Sequence, residues 1–219
     1  TLQRKILTRS SLSIFLVNKE SDLQDNVDGS ENSYNRVGGI DFNLASADNL
    51  WTGKAFFHQA IYKNAGGNAF ATATSIKYNT GTVSAHMGYS IVGTDFQADV
   101  GFVKRTGFHR FGSNLEYKFY PEEGNILSHG PAFKFYNLLD EGLNTTDREF
   151  ELKYMINWLD RRKFSADLER GYVKLLEPFD PTNSGGDTLA PGNAYNWNEF
   201  SLNYESDSRK TLNFTSNIR

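Results

Sequence analysis

The strict alternation of apolar and polar residues is the feature of this sequence that most constrains its fold. Residues 148–158 show it most clearly, with the apolar positions Phe150, Leu152, Tyr154, Ile156 and Trp158. On a helix these side chains would scatter around the cylinder, whereas on a strand they form one stripe. Segments 83–91, 115–119 and 211–218 repeat the pattern. No segment combines a capping residue with helical spacing of apolar residues, so the sequence predicts an all-β protein.

The connections between the alternating segments are of two kinds. Some are tight turns, such as 46–49, 79–81 and 206–208, and others are long polar loops, such as 19–35 and 177–193. Alternating strands of roughly ten residues, joined in turn by short and long connections, are typical of antiparallel transmembrane β-barrels. Strands of soluble β-sandwiches are shorter, about five or six residues. A sandwich stays open as the alternative, because the same stripes could form its core.

The order of short and long connections bears on the segment 93–108. If this segment were a strand, short and long connections would fall out of step in the second half of the chain. If it is one lumenal or extracellular insertion, every short turn falls at one end of the strands. The residues 96–104 also alternate, which keeps a strand there open. The insertion predicts eleven strands: 4–18, 36–46, 50–62, 69–79, 82–92, 109–120, 126–138, 147–159, 163–176, 194–205 and 209–219.

An odd count is unusual, since bacterial single-chain barrels normally have an even number of strands. The chain also starts at Thr1 without a secretory signal and ends at Arg219 within an alternating segment. We therefore expect residues 1–219 to be a fragment, with about 11–12 strands, of a larger barrel.

The cost of charge in lipid assigns the two faces of the strands. An Arg or Lys on the lipid face at the bilayer midplane costs about 2–4 kcal/mol. Glu149, Glu151 and Lys153 should therefore face the lumen, and the stripe from Phe150 to Trp158 should face lipid. Eight aromatic residues near strand ends are expected to form interfacial girdles: Trp51, Tyr89, Tyr117, Tyr120, Tyr154, Trp158, Tyr195 and Trp197.

Composition excludes several other classes of protein. The chain has no cysteine, which excludes disulfides, zinc–thiolate sites and a cysteine nucleophile. Its net charge of −3 and pI of about 5.8 argue against nucleic acid as a partner. The mean hydropathy of −0.54 coexists with 14% aromatic residues, which alternation reconciles.

No catalytic or metal site follows from the sequence. The four His have no metal-binding spacing. Asp41, Asp99 and the pair Glu149 and Glu151 are acids that could act on a glycosidic bond. Lumenal acids more often line water or pair with cations. No cofactor is expected, although the oxygen-rich loops 25–30 and 180–187 leave calcium open.

The segment 96–111, which includes most of this insertion, is the best candidate for a binding region. It combines basic, acidic and aromatic residues, a composition suited to a polyanion or a sugar. The predicted binding residues are Asp99, Lys104, Arg105, His109 and Arg110.

Four stretches (36–44, 50–57, 98–106 and 175–181) resemble a family of large Bacteroidota outer-membrane proteins of undefined function. Members of that family join an N-terminal domain like carbohydrate-binding module family 9 to a C-terminal β-barrel. Only the barrel part is matched, and the family offers no catalytic residues. The resemblance implies a bacterial outer-membrane location and a link to polysaccharide handling.

Together these features predict an integral outer-membrane β-barrel protein, acting as a structural, transport or envelope-complex component rather than as an enzyme. Its expected partner is outer-membrane lipid, with a glycan and other envelope proteins left open. The alternatives are a carbohydrate-binding β-sandwich and a membrane-associated carbohydrate-active hydrolase.

Overall fold

The computed structural model describes residues 1–20 and 34–219. These residues form an all-β structure without any helix, so none of them belongs to a helix long and apolar enough to cross a membrane. One antiparallel, open sheet contains all the strands, and its order follows the chain from β1 to β12. The strands are β1 (Leu2–Ile6), β2 (Ser10–Glu20), β3 (Tyr34–Ala45), β4 (Trp51–Tyr62), β5 (Phe70–Asn79), β6 (Val83–Val92), β7 (Phe108–Tyr117), β8 (Ile126–Asp140), β9 (Thr145–Trp158), β10 (Lys163–Lys174), β11 (Ala194–Glu205) and β12 (Thr215–Ile218).

The all-β prediction is confirmed and the twelve strands agree with the expected total of about 11–12, but two of the eleven predicted segments have the wrong bounds. The segment 4–18 is two strands, because the chain reverses at residues 7–9 and Leu7 adopts a φ of 53°. The last strand is also shorter than predicted, with only four residues after a connection of residues 206–214. Twelve is an even number, so strand parity no longer argues for a fragment.

The segment between β6 and β7 contains no strand, in agreement with the order of short and long connections. Whether this insertion is lumenal or extracellular stays a prediction. The weak alternation of residues 96–104 arises instead from a loop in which Phe96 is buried and Val100 and Phe102 are exposed.

The described residues divide into two compact units. Unit 1 comprises Thr1–Lys77, Met87–Phe111 and Leu139–Asn144, and unit 2 comprises Tyr78–His86, Gly112–Leu138 and Thr145–Arg219. We describe the two faces of the sheet separately in each unit.

The apolar face of unit 1 is exposed. Ile14, Ile40 and Phe57 lie side by side on β2, β3 and β4, and each is about half exposed. Leu12 and Phe42 form the next row. These side chains stabilise no core among the described residues.

The opposite face of unit 1 is covered by the insertion, residues 93–107. Phe96, which is only 9% exposed, packs into a cluster with Val37, Ala60, Ala69 and Ala71. Small side chains on β3, β4 and β5 therefore leave room for one large ring from the loop.

Polar groups hold the insertion in place. The Asn35 carboxamide, 2% exposed, donates a hydrogen bond to the Gln97 carbonyl (3.1 Å) and accepts one from the Asp99 backbone N–H (3.3 Å). The Tyr62 hydroxyl donates to the Asp95 carbonyl at 2.5 Å. The loop backbone is thus satisfied by side chains of β3 and β4, as buried backbone groups require.

Unit 2 repeats the two-faced arrangement. Its apolar face carries rows that run across β9, β10 and β11, such as Leu152, Leu168 and Phe200, all of which are exposed. The predicted lipid stripe lies on this face: Phe150, Leu152 and Tyr154 are exposed, and Ile156 and Trp158 are partly buried. The opposite, polar face carries the charged residues of the same strands.

Candidate functional site

A network of ion pairs occupies the polar face of unit 2. Lys134 on β8 contacts Glu149 at 2.5 Å and Glu151 at 3.5 Å. Lys153 continues the network by contacting Glu151 at 3.2 Å and Asp167 at 2.6 Å. The two lysines, on β8 and β9, thus alternate with three acids on β9 and β10.

This network bears on the two interpretations of Glu149 and Glu151. Both carboxylates share one strand face, as the alternation predicts, but the same ammonium group binds both. A glycosidase needs one protonated acid and one free carboxylate. In the structure the Lys134 ammonium contacts both carboxylates, so each of these acids is paired with a cation.

An open groove of about 590 Å³ lies beside this network. Strand register builds its floor from two cross-strand rows. One row is Glu149, Gly171 and Trp197 on β9, β10 and β11, and the next is Asp147, Val173 and Tyr195. In both rows a carboxylate lies at one end, a small residue in the middle and an aromatic ring at the other end.

The Trp197 indole lies flat over Gly171. A Cβ atom added at Gly171 would meet two atoms of the indole ring at 2.0 Å, so only glycine permits this orientation. The indole N–H donates a weak hydrogen bond to Glu169 at 3.4 Å, which fixes the ring from its edge. The upper face of the ring is open, and Trp197 is 40% exposed.

The loop between β10 and β11 forms one wall of the groove. Phe179 and Leu189 pair through two backbone hydrogen bonds and turn their side chains to the groove. Asp180 stabilises the tip of the loop, because its carboxylate accepts hydrogen bonds from the backbone N–H groups of Thr182, Ser184 and Gly185. Hydrogen bonds lower the pKa of Asp180 to about 2, and the bond that the Thr182 hydroxyl donates has the largest effect.

These bonds bear on calcium in the loop 180–187. Both oxygens of Asp180 accept from the loop's own donors, so the carboxylate is not presented to a cation. Within residues 1–20 and 34–219 no group of three or more His, Asp or Glu residues could hold a metal ion. The other calcium candidate, residues 25–30, lies outside the described residues.

We predict that the tip of this loop loosens in acid. A pKa lowered from the ordinary Asp value of about 3.9 to about 2 means that the ionised carboxylate stabilises the fold above pH 4, and that this contribution disappears as the pH falls through 2. Amide exchange at Ser184 and Gly185, normalised to an unstructured peptide, should show constant protection from pH 5 to 7 and a loss between pH 4 and 2.

Asp180→Asn should remove this protection at every pH, and Asp187→Asn in the same loop should leave it intact. Equal protection in wild type and Asp180→Asn would contradict the role of the carboxylate.

Two of the five predicted binding residues, Asp99 and His109, have different partners. Asp99 accepts from Lys19 at 3.1 Å on the covered face of unit 1, whereas the His109 ring bonds the Tyr89 hydroxyl at 2.7 Å. On β7, His109 shares the side that carries the exposed Leu115 and Tyr117. Lys104 and Arg110 are exposed and Arg105 is partly buried.

Sequence reasoning missed the groove because it assigned Tyr195 and Trp197 to the aromatic girdle. The register of β11 with β10 places both on the polar face, next to Gly171 and Val173. The signal available in the sequence was their parity: Tyr195 and Trp197 are in phase with Glu199, while Phe200 and Leu202 are out of phase.

Comparison with known proteins gives a family but no activity. No curated protein and no solved structure matches the chain. One family model, described as a domain of unknown function (DUF5916), matches residues 8–219. The chain therefore belongs to the DUF5916 family.

Proposed function

We propose that this chain forms part of the wall of a transmembrane β-barrel in a bacterial outer membrane. Its apolar faces contact lipid, and its polar faces line water. In that role it is a structural or transport component rather than an enzyme, and the insertion narrows the aqueous path.

The observation that supports this proposal is the side of the sheet on which the insertion packs. In a water-soluble protein, a loop that folds back onto a sheet covers the apolar rows, because burying apolar area is what stabilises it. Here the insertion covers the face that carries Lys19, Asn35 and Asp41 together with the apolar cluster around Phe96, while the apolar row of Ile14, Ile40 and Phe57 on the other face stays exposed. Lipid would explain why these apolar rows are left uncovered, since apolar side chains can be exposed to lipid without a free-energy cost.

Strand length and pattern support the same proposal. Eight of the twelve strands have between 10 and 12 residues, and two are longer. About 9–11 residues of tilted strand cross a bilayer. The resemblance to Bacteroidota outer-membrane proteins implies the same location and a link to polysaccharides.

The two alternatives are less well supported. A carbohydrate-binding sandwich needs two sheets that bury their apolar faces against each other. All twelve strands here belong to one sheet with exposed apolar rows. A hydrolase needs uncommitted carboxylates, whereas Lys134 and Lys153 bind Glu149, Glu151 and Asp167 on the polar face of unit 2.

Single-cysteine labelling tests the proposal, because the 219 residues contain no cysteine. Cysteine would replace Ile14 or its neighbour Ser13 in unit 1, and Phe200 or its neighbour Ser201 in unit 2. Each thiol would carry a bimane fluorophore, and the full-length protein would be reconstituted in vesicles with brominated phospholipids. We expect quenching at positions 14 and 200 and none at 13 and 201.

The serine positions are matched controls, since Ser→Cys changes one atom and the polar face stays in water. Equal fluorescence at all four positions would contradict the proposal. Purification of the full-length protein as a folded monomer without detergent would contradict it as well.

A further inference from the structure

The groove on the polar face of unit 2 is built like a binding site, and nothing in the barrel proposal requires it. A barrel wall needs only an even polar surface toward water. Here an open, aromatic-lined depression interrupts that surface beside the β10–β11 loop. Ligand sites are concave and mostly apolar, with a few placed polar groups.

We propose that this groove binds an uncharged sugar unit of a glycan, stacked on Trp197. The open face of the indole offers a flat apolar platform that matches the C–H face of a pyranose ring. The backbone of Gly171 supports the ring from below, and Glu169 fixes its edge. The platform is therefore preorganised, which lowers the entropic cost of binding.

The groove also has the right width for one sugar ring. Glu149 on β9 and Trp197 on β11 face each other across β10. Neighbouring strands lie about 4.8 Å apart, so the two side chains arise roughly 10 Å apart. Because the indole reaches back over Gly171 on β10, a pyranose ring stacked on it lies about one strand spacing from β9 and brings its hydroxyls to Glu149.

The charge of the groove favours a neutral ligand over a cation. Aromatic rings with carboxylates could also bind a quaternary ammonium group. However, Glu149 is neutralised by Lys134 at 2.5 Å, and the groove lining contains Arg148 as well as Asp147, so its charges balance. A paired ammonium and carboxylate instead give one donor and one acceptor, which together match a sugar hydroxyl.

Calorimetric titration of the full-length protein tests this proposal. The protein would be held in nanodiscs of phosphatidylethanolamine and phosphatidylglycerol, so that no sugar-headed or choline-headed amphiphile competes. The probes are maltohexaose, cellohexaose, laminarihexaose and tetramethylammonium chloride. We expect at least one hexasaccharide to bind with a Kd of about 1 mM or tighter and tetramethylammonium not to bind.

Variants of tryptophan locate the site. Trp197→Ala should weaken binding about tenfold or more, and Trp197→Phe should restore part of the affinity. The control is Trp51→Ala, because Trp51 lies in unit 1 with a similar exposure of 43%. It should leave the affinity unchanged.

Three results would overturn the proposal. The first is that no hexasaccharide binds at about 10 mM, tenfold above the expected Kd. The second is binding that Trp197→Ala does not change, and the third is binding of tetramethylammonium in place of the sugars. The lipid-quenching experiment has a separate readout. The barrel proposal can therefore fail while sugar binding holds, and the reverse.

Discussion

On the barrel proposal, replacing Phe200 with arginine should strongly destabilise the protein in a lipid bilayer. Phe200 lies in the middle of β11, is 57% exposed and forms one apolar row with Leu168 and Leu152. A charged side chain at the bilayer midplane of a β-barrel costs about 2–4 kcal/mol. Urea unfolding of the full-length protein in vesicles should show the folding equilibrium constant reduced roughly 30- to 900-fold.

The neighbouring position gives the matched control. Ser201 lies on the polar face, opposite Asp167, so Ser201→Arg places the same charge beside acids in water. We expect it to change stability by no more than about 0.5 kcal/mol, like most surface substitutions. Leu168→Arg, directly opposite Phe200, should repeat the loss. A Phe200→Arg protein as stable as wild type would contradict lipid contact at this face.

The strands of this protein could be predicted because apolar and polar residues alternate along each of them, with a period of two residues. Turns could be predicted where polar side chains stabilise them locally. Asp48, Asp160 and Asp207 each accept from the backbone N–H two residues ahead, in turns that the sequence marks with Asp and Ser. These interactions are local in sequence, so they are visible without a structure.

The turn at residues 7–9 could not be predicted for the opposite reason. Its residues, Leu7, Thr8 and Arg9, include none of the usual turn formers, and Leu7 adopts a left-handed φ of 53° that leucine rarely takes. Pairing of β1 with β2 from Ile6 and Ser10 outward imposes this geometry. The non-local ladder outweighs the local preference.

The candidate site was hidden because it depends on register across strands. Glu149, Gly171 and Trp197 are far apart in sequence, and only the pairing of β9, β10 and β11 aligns them. A glycine in β10 reads locally as a weak strand residue. Its purpose, to accept the Trp197 ring, is visible only once the two are neighbours.

The insertion relies on Phe96 to pack against the sheet, and this role too depends on contacts between residues far apart in sequence. Nothing in its local sequence distinguishes Phe96 from Phe102, yet one is 9% and the other 90% exposed. Phe96 supplies the only large side chain among the five buried residues of the unit 1 cluster. Truncation of a buried Phe to Ala typically costs 3–5 kcal/mol.

We therefore expect Phe96→Ala to release the insertion from the sheet while the strands stay paired. Lys104 and Arg105 lie in the insertion and provide trypsin sites for the measurement. Where opening is fast, cleavage follows the open population. The cleavage rate after residues 104 and 105 should rise about 100-fold or more, and Phe102→Ala should leave it unchanged.

Asn35→Leu separates the two contributions to docking. It removes the hydrogen bonds to Gln97 and Asp99 but keeps Phe96 in its cluster. Because a buried backbone group left without its partner costs about 1–3 kcal/mol, we expect this variant to raise cleavage about 5- to 150-fold. If Phe96→Ala and Phe102→Ala were cleaved equally slowly, the insertion would be held by its polar contacts alone, and the small apolar cluster would not be what seats it on β3, β4 and β5.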